Sequence, residues 1–93
     1  MSNRSDSGLL AIGFGNYVAD DKIVTILSPD SAPIKRAISD SRDHGMLVDA
    51  SFGRSTRSVI LMDSGHMILS ALTPEELAQK LQNNVSNGGA SIT

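Results

Sequence analysis

A polar segment near the middle of the chain carries the residues best suited to chemistry. It reads Ser51-Phe52-Gly53-Arg54-Ser55-Thr56-Arg57 and separates two apolar runs typical of β-strands. The guanidinium groups of Arg54 and Arg57 match phosphate oxygens and guanine edges. The hydroxyls of Ser55 and Thr56 add short donors for the same targets. The segment is therefore either an anion-binding loop or an ordinary solvated hairpin tip.

Residues that could support catalysis are few. His44 and His66 are the only imidazoles, and the group formed by Asp63, Ser64 and His66 lies on one short turn. A catalytic triad needs side chains that converge from separate elements, which one turn does not supply. Cysteine is absent and no histidines have zinc-ligand spacing. We therefore predict that the protein is not an enzyme and uses no cofactor, no metal and no small-molecule substrate.

Length and charge limit the class of protein further. A chain of 93 residues without cysteine forms one small domain that buries roughly 60–70% of its unfolded surface, so self-association is the remaining common source of stability. Eight basic residues against ten acidic ones give a net charge of −2, which by itself does not predict nucleic-acid binding. The basic residues nevertheless concentrate between Lys22 and Arg57. One face could therefore carry positive potential on an acidic molecule.

No segment has the pattern of an export signal or a membrane span. The first eight residues are small and polar, unlike the apolar centre of a secretion signal. No run approaches the ~20 apolar residues that cross a bilayer. We expect a cytoplasmic protein with no membrane partner.

Local patterns predict an α+β chain with a small, mostly antiparallel sheet. Five short strands are predicted, over 9–12, 22–28, 46–50, 58–63 and 67–72. Gly13 and Gly15 suit a turn with positive φ between the first two strands, with Phe14 packed inward. The turn lacks the third glycine of a dinucleotide fingerprint and the Lys-Ser/Thr of a phosphate-binding P-loop. It is therefore predicted to be structural.

Two helices accompany the strands. Pro33 fits the first turn of a helix that Ser31 caps, which should run to about His44 and end at Gly45. The run Thr73-Pro74-Glu75-Glu76 combines a threonine cap, a proline and a capping-box glutamate, and so begins the second helix. We expect one domain over 8–82 between disordered tails at 1–7 and 83–93.

The last two strands are apolar on both faces. Alternate residues place Val59 and Leu69 on one face and Ile60 and Ile68 on the other. Two helices are few to cover both faces, so part of the second surface is expected to meet another copy of the chain.

Several blocks of the chain, in order, resemble the RemA family of bacterial regulatory proteins. The blocks cover nearly everything except the two tails, and they are Ile12–Asn16, Ser28–Arg36, Gly45–Ala50, Gly53–Arg57, Asp63–His66, Leu69–Ala71, Pro74-Glu75 and Leu81. RemA-like proteins are small DNA-binding transcription regulators that assemble into rings and present repeated basic loops to DNA. The resemblance therefore implies a nucleoid-associated homo-oligomer that binds double-stranded DNA.

The resemblance also assigns site residues. The arginine that follows Tyr/Phe-Gly in the family corresponds to Arg54, and the arginine after threonine corresponds to Arg57. This chain has Ser55 where the family usually has a second arginine, and Lys22 where it has an arginine at the head of the second strand. Lysine loses the bidentate fork and serine loses the charge, so phosphate affinity per subunit should fall.

The sequence thus predicts an oligomeric DNA-binding regulator that holds DNA through many weak, repeated contacts. The expected DNA-binding residues are Arg54, Arg57, Lys22, Ser55, Thr56 and, in reserve, Lys35, and the expected structural turn residues are Gly13, Gly15, Pro33 and Gly53. Two alternatives stay open. One is a structural or interaction module, a RemA-like subunit that has lost DNA affinity. The other is RNA binding, although three aromatic residues are few for a base-stacking platform.

Overall fold

The computed structural model describes residues 8–90, with side chains as far as Asn83. These residues form six strands, two α-helices and a 3-10 turn over Asp20–Lys22. In chain order the elements are β1 (Leu9–Gly13), β2 (Asn16–Ala19), β3 (Ile23–Leu27), α1 (Ala32–Asp43), β4 (Leu47–Asp49), β5 (Ser58–Met62), β6 (Met67–Ser70) and α2 (Pro74–Ala90). The predicted α+β class with two helices and mostly antiparallel strands is confirmed. The strands form two sheets, however, where one sheet of about five strands was expected.

The additional strand is β2, which pairs with β1 in an antiparallel hairpin. Leu10 and Val18 face each other in this ladder and are both buried. The open end of the hairpin is closed by Asp20, whose N–H donates to the Gly8 carbonyl and whose Oδ1 accepts from the Gly8 N–H, each at 3.0 Å. The prediction that Gly13–Asn16 leads directly to the strand at 22–28 was therefore wrong.

The central sheet has the order β3-β5-β6-β4. Its pairs are antiparallel except that β4 and β6 run parallel. Because β6 separates β4 from β5, the segment 51–57 crosses over the end of β6 and is not a hairpin tip. The Ala50 N–H donates to the Leu69 carbonyl at 2.9 Å and the Arg57 N–H to the Ser70 carbonyl at 2.8 Å. Both ends of the segment are therefore fixed to the same strand.

Each face of the central sheet packs against other elements of the chain. The β1–β2 hairpin and α2 cover the face that carries Ile60, and α1 covers the face that carries Val59 and Leu69. The predicted alternation of the two apolar faces is confirmed. Both faces are covered within the chain, although α1 buries no residue of its own. The expected contact of a sheet face with another copy of the chain stays a prediction. Exposed apolar side chains lie also at the two sheet edges, with Val24 60% and Val48 47% exposed.

The start and end of α1 follow local signals. The Ile34 N–H donates to the Ser31 hydroxyl at 3.4 Å, and Pro33 lies in the first turn as predicted. At the other end the His44 N–H and its ring Nδ1 both approach the Asp40 carbonyl, the ring nitrogen at 2.7 Å. Gly45 follows with a φ of 69°. The predicted boundaries of this helix are therefore confirmed to within a residue.

The start of α2 is a capping box. The Glu76 N–H donates to Thr73 Oγ1 at 3.1 Å, and the Thr73 N–H donates to Glu76 Oε1 at 2.8 Å. Leu77 is fully buried against the sheet and Leu81 packs beside it. The helix continues to Ala90, into the range 83–93 for which a tail was expected, while the tail expected over 1–7 lies outside the described residues. Within 8–90, neither helix is long and apolar enough to cross a membrane.

Candidate nucleic-acid interface

The segment 51–57 begins with a side-chain turn that fixes its first residue. Asp49 Oδ1 accepts a hydrogen bond from the Ser51 N–H at 2.9 Å and from the Ser51 hydroxyl at 2.6 Å. These bonds, chiefly the one from the hydroxyl, hold the pKa of Asp49 below its ordinary value, with a smaller contribution from the charge of Arg42. Ser51 is buried at 2% exposure. Asp49 therefore caps the turn that begins this segment.

The next residues form a tight turn that presents Arg54. Phe52 and Gly53 have φ values of 56° and 78°, and the Arg54 N–H donates to the Ser51 carbonyl at 3.0 Å. Positive φ at both central positions is the signature of a type I′ turn. Glycine at position 53 tolerates this conformation at little cost. Phe52 does not, and its side chain is 77% exposed.

A second turn with the same geometry joins β1 to β2. Phe14 and Gly15 have φ values of 55° and 78°, and Gly13 has a φ of 109°. The predicted turn with positive φ is confirmed, but the prediction that Phe14 packs inward was wrong. Phe14 is 47% exposed because its ring lies against Phe52 instead of against the core.

The two turns meet through their aromatic rings. The ring centroids of Phe14 and Phe52 are 5.2 Å apart with an interplanar angle of 26°, which is a stacked arrangement. The Cζ atom of Arg54 lies over the ring of Phe14, 5.5 Å from its centroid, within cation–π range. Sequence reasoning missed both rings as site residues. The only signal was the repetition of Phe-Gly in two predicted turns.

Ser70 joins the two halves of the site. Its buried hydroxyl donates to the Ile12 carbonyl at 2.8 Å and accepts from the Leu72 N–H at 3.1 Å. Its own carbonyl accepts from the Arg57 N–H at 2.8 Å. The residues leading into the Phe14 turn and the last residue of the basic segment are thus held by one residue of β6.

Arg54 and Arg57 line a common cleft of about 500 Å³, which we call the arginine cleft. Its walls are Gly13, Phe14, Arg54, Ser55, Arg57, Ala71 and Leu72, with no carboxylate among them. Within residues 8–83, neither arginine forms an ion pair. The arrangement provides two guanidinium groups that no carboxylate of the described side chains neutralises, beside a partly apolar wall, which suits an anionic ligand with apolar or aromatic parts.

A neighbouring cleft of about 420 Å³ has mixed charge. It shares Ser55 and Arg57 with the arginine cleft, and Thr56 lines it together with Asp30 and Glu75. The pKa of nearby Glu76 is held below its ordinary value, first by the hydrogen bonds with Thr73 and then by the charges of Arg57 and Lys80. These carboxylates make the second cleft less suitable for a polyanion than the first.

The structure does not bring the two predicted lysines to the arginine cleft. Ile23 pairs with Met62 and Leu27 with Val59, so Lys22 lies at the far end of the β3–β5 ladder from Arg57. The Asp63 N–H donates to the Lys22 carbonyl, and Asp63 is six residues along the strand from Arg57, which places Lys22 about 20 Å from Arg57 in that direction. Lys35 lies on α1, which packs on the opposite face of the sheet from the hairpin that carries Phe14. In the described part of the chain, no three His, Cys, Asp or Glu side chains form a group that could hold a metal ion.

Comparison with known proteins places the chain among regulators. Residues 9–81 match the family model described as RemA-like, Extracellular matrix regulatory protein A-like. Extracellular matrix regulatory protein A of Bacillus subtilis (strain 168) is 56% identical over 73 residues, which cover 78% of this chain and 82% of that protein. A "Putative regulatory protein" of Carboxydothermus hydrogenoformans is 61% identical over 70 residues, or 75% of this chain and 80% of that protein. A protein of the same description from Synechococcus sp. (strain JA-2-3B'a(2-13)) is 59% identical over 75 residues, which cover 81% of this chain and 84% of that protein. The chain belongs to the RemA-like family.

Proposed function

We propose that this protein is a regulator that binds double-stranded DNA as a homo-oligomer, through the arginine cleft of each subunit. The observation that carries the proposal is the pair Arg54 and Arg57, which line one cleft without a carboxylate in its walls. Guanidinium groups that no carboxylate within residues 8–83 pairs with are available to phosphate oxygens and to guanine edges. Ser55 lies between them in sequence and adds a hydroxyl donor to the same cleft.

Repetition of the site compensates for weak binding by one copy. Each phosphate neutralised contributes roughly 0.9 to the logarithmic salt slope, so the two arginines of one cleft supply about 1.8 per subunit. Lys22 lies too far from the cleft to add to the same contact. An oligomer that offers the cleft several times along one duplex gains effective concentration for every contact after the first. Exposed Val24 and Val48 at the two sheet edges are surfaces where copies could associate.

Binding should depend on salt and on the two arginines. Fluorescence anisotropy of a labelled promoter duplex, titrated at several salt concentrations, measures both the affinity and the salt slope. We expect Arg54→Ala and Arg57→Ala each to weaken binding about tenfold or more and to reduce the slope. Arg36→Ala is the matched control, because Arg36 is an exposed arginine of α1 that lines neither cleft. It should bind like the wild type.

The same titration separates the remaining hypotheses. Light scattering on each variant establishes that the oligomer is intact before affinities are compared. A wild-type protein without salt-dependent DNA binding would leave the structural or interaction module as the better description. Preferential competition by single-stranded RNA over duplex DNA would favour the RNA-binding alternative. An Arg54→Ala oligomer that binds DNA as tightly as the wild type would contradict the proposal.

A further inference from the structure

Two turns in this chain share an unusual residue choice. Phe14-Gly15 and Phe52-Gly53 both have positive φ at both positions, with φ values of 55° and 78° in the first turn and 56° and 78° in the second. Asparagine, aspartate and glycine are the residues that favour the first central position of a type I′ turn. A bulky side chain there crowds the backbone, so phenylalanine strains the turn where asparagine would relax it. The same strained choice occurs twice.

Burial does not account for the two phenylalanines. Phe14 keeps 47% and Phe52 keeps 77% of its surface exposed, so neither contributes much to the core. What the two rings do is stack on each other at 5.2 Å, with the Arg54 guanidinium carbon 5.5 Å from the Phe14 centroid. Backbone strain that yields little burial is typical of positions retained for a functional contact.

We propose that Phe14 and Phe52 are positioning residues that form an aromatic seat for Arg54, and that this seat orders the guanidinium group for DNA binding. The inference rests on the proposed function and deepens it. An arginine that is free to rotate loses side-chain entropy when it binds, whereas one already held against a ring loses less. The seat draws on two elements distant in sequence, the β1–β2 turn and the segment 51–57, which meet at the arginine cleft.

The test exchanges the strained residue for the one that the turn prefers. Phe14→Asn retains the type I′ geometry and removes the ring, so we expect an unchanged or higher melting temperature together with at least about fivefold weaker binding to the promoter duplex. Tyr17→Thr is the matched control, because it removes a 60% exposed aromatic side chain from β2 of the same hairpin. It should leave DNA affinity unchanged. Phe14→Tyr should restore binding, because tyrosine keeps the ring face.

A double-mutant cycle with Arg54→Ala identifies the mechanism. If Phe14 acts through Arg54, then Phe14→Asn weakens binding in the wild-type background and has little further effect once Arg54 is alanine. Equal effects in both backgrounds would overturn the inference in favour of direct contact between the ring and DNA. A Phe14→Asn protein with altered oligomer mass and unchanged affinity per oligomer would overturn it in favour of a contact between subunits.

The inference and the proposed function fail in different ways. Wild-type affinity in Phe14→Asn, alongside a loss in Arg54→Ala, would overturn the aromatic seat and leave DNA binding in place. A wild-type protein that does not bind DNA would overturn both.

Discussion

The hydroxyl of Ser70 gives the sharpest test of how the fold holds the site. It is fully buried, donates to the Ile12 carbonyl at 2.8 Å and accepts from the Leu72 N–H at 3.1 Å. Ser70→Ala removes the hydroxyl that both groups use, so the Ile12 carbonyl and the Leu72 N–H each lose this hydrogen bond. The loss of a hydrogen bond by a buried polar group costs about 1–3 kcal/mol, and the part-buried N–H should cost only about 1 kcal/mol. We therefore expect the free energy of unfolding to fall by about 2–4 kcal/mol.

Ser58 is the control for this substitution. It faces Ser70 in the β5–β6 ladder and is equally buried, but within the described residues its hydroxyl has no hydrogen-bond partner. Ser58→Ala therefore removes a buried polar atom without leaving another group unsatisfied, and we expect stability to stay the same or rise by about 1 kcal/mol.

Urea unfolding followed by circular dichroism, at one fixed subunit concentration, compares the two variants on the same scale. In thermal melts each kcal/mol corresponds to roughly 4–8 °C for a domain of this size, so the two melting temperatures should move apart by more than about 8 °C. Similar losses in Ser58→Ala and Ser70→Ala would refute the reasoning. They would mean that side-chain volume, and not hydrogen bonding, governs these two sites.

Substitutions at three further residues test the turns and the helix cap. Because the pKa of Asp49 is lowered on folding, its carboxylate stabilises the fold at pH values above the ordinary pKa of 3.8, and this stabilisation is lost as the pH falls through the lower pKa of the folded state. Between pH 6 and pH 2 the melting temperature should therefore fall less steeply for Asp49→Asn than for the wild type. Gly53→Ala meets no atom within 4 Å but must adopt a φ of 78°, so its urea midpoint should show a loss of about 1–2 kcal/mol. Thr73→Ala removes the cap of α2 and should lower the free energy of unfolding by about 1 kcal/mol in the same assay. Thr73→Ser keeps the capping hydroxyl and should keep most of this stability.

Signals contained within a few residues were predictable from sequence. The caps at Ser31 and Thr73 satisfy N–H groups three residues on, so residue types and spacing were sufficient to locate both helix starts. The alternation of Val59 and Ile60 between opposite faces follows from the two-residue period of a strand. Arg54 and Arg57 were likewise identified from their segment and share one cleft.

Features that depend on distant partners were not predictable. The strand β2 is short, and its pairing with β1 and the burial of Val18 are tertiary properties that its own residues do not signal. The parallel pairing of β4 with β6 placed segment 51–57 over a strand end, although its polar composition equally suits a hairpin. The exposure of Phe14 depends on its stacking against Phe52, which is distant in sequence. The distance of Lys22 from the two arginines depends on the register of β3 and β5, which the sequence does not show.

The attachment of both ends of segment 51–57 to β6 has a consequence for how this surface can diversify. The Leu69 and Ser70 carbonyls hold Ala50 and Arg57 through backbone N–H groups, which every residue except proline possesses. The anchors are therefore indifferent to which side chains stand between them. Exposed Ser55 can gain or lose a charge while the supporting strands keep their spacing. A substitution at position 55 can thus change the charge of the loop without rebuilding the strands beneath it.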